Sequence, residues 1–370
     1  MRLKLAVFTV LLAAGAVLAM RLGYLDVARD RLWGKSPHLS AGDFPPGVSA
    51  PIDAVASLPN RPTLVGLVPQ GGTAPLLAAG KGTFFKQYAM ELKSVPYASE
   101  AELRAALLRG AEHGGVDFAA FSVPSLAFNW QRLFDASPKT VALLSKSRGQ
   151  EVLVAAHASA VSGLKGARLA CEPDSTSRYF ALWTLSRAGL AVRELKWVDL
   201  KGPFEAAAAL KDGRADAAVG GAGALEPLAK EQNWSVLAST ADAPHLLATV
   251  LVVRGDYAAR FPDAVRRVLR GALEANQQAN KDPLETARLL GDADPALGDP
   301  NEAMKRAVLA TTKENLAFFS LSGESPVTYS EQFGSAAQLA VKLGLYGVQP
   351  NVEETQDLSS LRFISTRTGL

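Results

Sequence analysis

Thr63-Leu64-Val65-Gly66-Leu67-Val68 is followed by Pro69, by Gln70-Gly71-Gly72-Thr73 and by Ala74-Pro75-Leu76-Leu77-Ala78-Ala79. The first run is short, apolar and suited to a strand, and the proline ends it. The glycines mark a turn. Thr73 suits an N-cap, and Pro75 falls in the first helical turn, where its missing N–H has no bond to make. This strand–turn–helix unit recurs outward along the chain. The pattern predicts a strand near Glu91–Tyr97, then a helix from Ser99, with Glu102 three residues on as in a capping box. Leu103, Ala106, Leu107 and Ala111 keep one face of that helix. A strand over Asp117–Ser122, a helix from Pro124-Ser125 to Phe134, and strands at Val141–Leu144 and Val152–Ala156 complete the first block.

The same order then starts again. Ala167–Cys171 reads as a strand, and Asp174-Ser175-Thr176-Ser177 opens a helix to Ala188 that Gly189 closes. Strands at Leu195–Val198, Asp216–Val219 and Trp234–Ala238 alternate with helices at Phe204–Leu210 and Leu225–Glu231. His245–Val253 is a long β-rich run. Helices are predicted thereafter at Pro262–Asn280, Pro283–Leu290, Asn301–Phe319 and Ser330–Leu343. Such alternation implies a largely parallel sheet in each block.

Ahead of the body, Arg2 and Lys4 precede an uncharged stretch, Leu5 to Met20. That stretch reads as a signal peptide or an uncleaved membrane anchor within residues 1–33. Either exports the body. Residues 34–62 carry Pro37, Pro45, Pro46, Pro51, Pro59 and Pro62 among Ser, Gly and Ala, and read as an extended linker.

The chain has 370 residues, room for two or three compact units. Its 39 Lys+Arg against 36 Asp+Glu leave a net charge of +3, too balanced for a dedicated nucleic-acid binder. The single cysteine, Cys171, cannot form an intramolecular disulfide, a Cys-x-x-Cys redox pair or a thiolate zinc site. His38, His113, His157 and His245 are scattered, with no helical pair to hold a metal. Neither a cofactor nor a metal is expected.

In open α/β sheets, ligands sit at the carboxyl ends of the strands. This selects the loop Gln70, Gly71, Gly72 and Thr73, whose glycines let backbone N–H groups approach a ligand. It also selects Ser122 and Ser125. The sharpest loop is Asp174, Ser175, Thr176 and Ser177, where hydroxyls and free N–H groups crowd a helix start suited to a carboxylate, sulfonate or phosphate. Asp174 is expected to cap that helix, leaving Ser175 and Thr176 free. Gly221, in Gly220-Gly221-Ala222-Gly223, suits a close backbone approach and does not match a dinucleotide fingerprint. His245 reads as structural. Asp117 and Asp216 read as structural at strand entries, and Cys171 as a small buried residue. No nucleophile elbow or phosphate loop is present.

Several segments resemble a known family. Val65–Pro69 with Ala74–Phe85 is similar to the opening of ABC-transporter substrate-binding proteins of the nitrate/sulfonate/taurine (SsuA/TauA, NMT1-like) group. Gly115-Val116-Asp117-Phe118-Ala119-Ala120 resembles that group's G-x-V-D-A-A strand. Leu164–Ala170 with Asp174–Ser177 resembles its L-K-G-K-x-I-A and G-S-T-S elements, although Pro173-Asp174 replaces the usual glycine. Leu210–Ala218 resembles L-x-x-G-x-V-D-A-A. The resemblance implies an α/β, two-lobed periplasmic-binding-protein-like fold of type II. Each lobe would be a mostly parallel sheet flanked by helices, with further helices at the carboxyl end. Residues 63–156 would form lobe 1, residues 157–249 lobe 2, and residues 250–370 would return to lobe 1.

It implies no catalysis. Together with the apolar segment at residues 5–20, cleaved or kept as an inner-membrane anchor, the expectation is a monomeric, exported protein in the periplasm or another extracytoplasmic space. Such a protein captures a small anionic organic ligand, sulfonate- or carboxylate-like, and delivers it to an ABC permease. The competing readings are a membrane-tethered sensor on the same fold and an enzyme on the same scaffold.

Overall fold

The computed structural model describes residues 58–291 and 298–367. The anchor or signal segment and most of the linker lie outside the described residues. No helix among those described is long and apolar enough to cross a membrane.

The strands are β1 (Thr63–Leu67), β2 (Leu92–Pro96), β3 (Phe118–Ser122), β4 (Lys139–Ser147), β5 (Glu151–Ala155), β6 (Arg168–Cys171), β7 (Lys196–Asp199), β8 (Ala217–Gly221), β9 (Ser235–Ser239), β10 (Ala248–Val253) and β11 (Ala307–Leu309). They form two sheets, ordered β11-β4-β10-β3-β1-β2 and β7-β6-β8-β5-β9. Strands β1, β2 and β3 are mutually parallel, as are β6, β7 and β8. Strand β10 runs antiparallel between β3 and β4, and β5 antiparallel between β8 and β9. Both sheets are therefore mixed. Strand β11 is reversed too, antiparallel to β4. Strands β5 and β10 are the ones on which the chain enters each lobe after crossing between them.

The first crossing falls at residues 148–150 and the second at 240–247. The sequence placed the first division at residue 156, which would leave β5 in lobe 1. In the structure β5 pairs only with β8 and β9, so it belongs to the second sheet. The two crossing segments are tied by a buried hydroxyl pair, Ser147 Oγ to Thr240 Oγ1 at 2.7 Å.

The helices are α1 (Ala74–Lys81), α2 (Glu100–Arg109), α3 (Val123–Phe128), α4 (Thr176–Arg187), α5 (Ala206–Lys211), α6 (Ala222–Gln232), α7 (Gly255–Arg260), α8 (Pro262–Lys281), α9 (Pro283–Leu290), α10 (Pro300–Lys305), α11 (Thr312–Phe318), α12 (Tyr329–Lys342) and α13 (Ser359–Arg367). In the second sheet alternate residues serve opposite faces, as a pleated strand requires. Val152, Val154, Ala170 and Ala218 pack with α5 and α6, while Leu153, Leu169, Cys171 and Val219 pack with α4. The larger core of lobe 1 takes residues from β1, β3, β4 and β10 and from the carboxyl-terminal helices, including Phe333 and Leu361. Those helices therefore return to lobe 1.

One expected helix is split. Asn301–Phe319 becomes α10, then β11, then α11, because Ala307, Val308 and Leu309 pair with the edge strand β4. Thr311 then starts a fresh capping box with Glu314. The helix expected through Phe134 stops at Phe128, and a 3₁₀ turn covers Gln131–Ala136.

The two lobes repeat one device. Asp117 precedes β3, accepts from Leu64 N at 3.0 Å and takes both Arg61 nitrogens, at 2.7 and 2.8 Å. Asp216 precedes β8, accepts from Arg168 N at 2.8 Å and pairs with the Arg168 guanidinium at 2.7 Å. Each carboxylate fastens its strand to the neighbouring one. The Arg168 hydrogen bond holds the Asp216 carboxyl at about 2, well below the ordinary range. Asp117 is buried and Asp216 partly open. Asp117→Ala should therefore cost about 3 kcal/mol, the size seen when one partner of a buried pair is removed. Asp216→Ala should cost clearly less. Equal losses in urea unfolding of the two variants would count against burial as the deciding factor.

Candidate functional site

A cavity of about 370 Å³ lies between the lobes. The structure brings Gln70, Gly71, Ser122, Thr176, Ser177 and Gly221 onto its wall. Gly72, Thr73, Ser125, Asp174 and Ser175 do not line it. Thr73 caps no helix with its side chain. Its hydroxyl accepts from Gln70 N and lies 3.1 Å from the carbonyls of Val68 and Gln70, bracing the loop from inside.

The α4 start departs from expectation. Ser175, not Asp174, is the N-cap, accepting from Arg178 N at 3.2 Å and donating to Glu172 O at 2.7 Å. Asp174 adopts the left-handed region, φ 52°. This accounts for the glycine in the family pattern at that position, because aspartate is one of the few other residues that tolerate it. The Asp174 carboxylate pairs with Arg132 at 2.5 Å, and its carbonyl accepts from Asn129 at 2.7 Å.

Thr176 does present the donors expected of an anion site, and an anion is there: Glu100. Reaching from the first turn of α2 in lobe 1, its carboxylate accepts from Thr176 N at 3.0 Å and from the Thr176 hydroxyl at 2.5 Å. The Ser125 hydroxyl donates to its other oxygen. Ser122, the N-cap of α3, lies 2.7 Å from the Thr176 hydroxyl. The reverse contact exists as well. Glu172, at the end of β6 in lobe 2, accepts from Ala101 N at 3.2 Å at the start of α2. Each lobe thus places a carboxylate on a helix N-terminus of the other, where the helix dipole favours negative charge.

Glu151 opens β5 and is buried at the cavity wall. Ser177 donates to its Oε2 at 2.8 Å. Burial pushes its carboxyl up to about 7, an effect that the Ser177 hydrogen bond opposes and the nearby Glu100 charge reinforces. Glu172 is raised too, first by burial and then by Glu100. On the far wall stand Asp299, Glu302 and Arg306, from α10 and its flanks, and Phe204. Arg306 bridges the lobes to Glu226 at 2.7 Å. Gly71 lies so close to α10 that an added Cβ would stand 1.8 Å from the Ala303 carbonyl oxygen.

Sequence pattern does not single out Glu100, Gln150, Glu151, Phe204 or Arg306, which the cavity wall also includes. Glu151 carried one signal, a charge at the head of an otherwise apolar strand. Glu100 carried none beyond its place in a capped first turn. His245 is exposed and away from the cavity. Cys171 is fully buried, and burial pushes its thiol up to about 12, so it is not a thiolate nucleophile at neutral pH.

The profile of the NMT1-like family matches residues 56–290. The chain belongs to that family. No curated protein matches it. Among solved structures it is similar to the periplasmic aliphatic sulphonate binding protein SsuA from Escherichia coli, with 18% identity over 80% of this chain and 91% of that one, TM-score 0.63. It is likewise similar to the periplasmic nitrate-binding protein NrtA from Synechocystis PCC 6803, with 14% identity over 82% and 88%, TM-score 0.65. The desulfurization enzyme DSZB has the same fold at 12% identity, over 83% and 99%, TM-score 0.58. This NMT1-like chain therefore has the two-lobed fold of the periplasmic binding proteins, a fold that one similar structure uses for an enzyme.

A buried carboxyl raised above its ordinary value of 4.5 favours folding while protonated. That contribution is complete at low pH and is lost as pH rises from about 4.5 through about 7, by roughly 3 kcal/mol. Glu151→Gln should therefore match the parent near pH 4.5 and melt at a higher temperature at pH 8. A melting difference that stays constant across this range would refute the burial of an ionising group there. Gly71→Ala should lower the melting temperature at every pH, since α10 must shift to admit the methyl.

Proposed function

We propose that the protein is an extracytoplasmic receptor that captures a small organic solute between its lobes and passes it to an ABC permease. The observation that carries this reading is the construction of the cavity. Its wall is drawn from both lobes, and among the described residues the chain passes between the two sheets only at 148–150 and 240–247. Rotation about two short segments can open such a cavity without unfolding either sheet. The described part of the chain offers no activated nucleophile in the cavity, and its carboxylates hold helix starts and hydroxyls. Sulphonate- and nitrate-binding proteins of the same fold support the transport reading.

The residues assigned to the solute are Gln70, Gly71, Ser122, Thr176, Ser177 and Gly221 from the sequence-selected loops, with Glu151 and Phe204 added by the structure. Micromolar affinity requires about 8 kcal/mol, which a cavity of this size with a few polar anchors can supply. A thermal-shift screen over sulfonates, carboxylates, amines, nitrate and pyrimidines should find solutes that raise the melting temperature. At one hundred times Kd the gain is about 2.7 kcal/mol. Small-angle scattering should show the same solutes narrowing the distribution of shapes. Phe204→Ala, which removes an apolar wall, should weaken binding about tenfold, at roughly 1.4 kcal/mol per decade. A screen in which no solute shifts melting would reject the receptor reading.

A further inference from the structure

The charge of the cavity differs from that of an anion receptor. The amide and hydroxyl donors at the start of α4 already serve Glu100. Other acids on the wall are compensated where they stand. Asp299 caps its own helix, accepting from Asn301 N at 2.9 Å, and Glu302 faces Lys305 at 2.5 Å. Arg306, a cation on the wall, faces Glu226 at 2.7 Å. Glu151 differs. Ser177 serves one of its oxygens, and its carboxylate forms no ion pair among the described residues.

Gln150, the neighbour of Glu151, also lines the cavity, but its Nε2 is enclosed beside Gly72 and Ser145, behind the Gln70–Thr73 loop, and does not serve the solute. A carboxylate without a cation is costly in the same surroundings unless the partner arrives with the ligand. Phe204, Pro203 and Ala120 give the apolar surface for a short carbon skeleton.

We propose that the cleft receives a small organic cation, its ammonium or guanidinium group seated on the Glu151 carboxylate and its carbon skeleton on the apolar wall. This rests on the reading of the cleft as a solute site and names the class of solute. The high carboxyl of Glu151 follows from the same geometry, since a cation would lower it again.

Calorimetric titration of the full chain with 4-aminobutanamide and agmatine, against butane-1-sulfonate and butyrate, tests the assignment. The cationic compounds should bind and the anions should not. Glu151→Gln should weaken binding at least tenfold, with the folding of the variant checked by its melting curve. Unchanged affinity in Glu151→Gln overturns the assignment. So does binding of the sulfonate with the amines silent, an outcome that leaves the receptor reading standing. Silence from both classes also overturns the cation assignment, while the wider solute screen decides the receptor reading separately.

Discussion

Two helix N-termini approach each other across the cleft, α2 from one lobe and α4 from the other. Each carries unsatisfied N–H groups and a partial positive charge, so bare ends would repel and lose water without compensation. Glu100 on Thr176 and Glu172 on Ala101 resolve this by exchange, each lobe supplying the anion that the other needs. The arrangement has its own cost. Burial, and then the nearby Glu100 charge, raise the Glu172 carboxyl above its ordinary value. The neighbouring backbone is correspondingly tight. A Cβ at Gly202 would stand 2.6 Å from the Ala98 carbonyl. Tyr179 and Leu182 of α4 belong to the core of lobe 1, with the Tyr179 ring 5.7 Å from Phe128.

On the other side of the cavity the chain crosses between sheets, and the two crossings are knotted by hydroxyls. Thr240 accepts from Glu151 N at 3.1 Å and meets Ser147, which itself accepts from Gln150 N at 3.2 Å. Gln150 and Glu151 are thus fixed by the hinge through their backbones, and the Glu151 side chain lines the cavity. A change of lobe angle moves that side chain directly. That coupling between the place where the chain bends and the place where a solute would sit needs no longer pathway.

Much of this fold is legible in the sequence, because its strands are short apolar runs ended by proline, glycine or a capping residue. The strands around Asp117 and Asp216 are the clearest cases. What stayed hidden depends on tertiary context. Ala307-Val308-Leu309 fits a helix as well as a strand by local pattern, and only the open edge of β4 selects the strand. Within the site, the Ser175-Thr176-Ser177 helix start was readable as an anion site, since that capacity is local. Its occupant was not, because Glu100 lies far away in sequence and looks like an ordinary acid in a capped first turn. Residue type alone points to Asp174 as the cap. Its left-handed backbone passes that role to Ser175.

The net charge of +3 also has a limited meaning. A sum over the chain suggested that any anion would be held by local donors and not by a basic surface. Local donors do hold an anion, but it belongs to the protein. The cavity is therefore acidic inside a slightly basic chain, and its sign is set by which carboxylates have partners. Most do: a helix start, a lysine or an arginine. Because Thr176 already serves Glu100, the cavity acid left without a helix start, lysine or arginine is Glu151, and on the reading proposed above its chemistry limits what the cleft can hold.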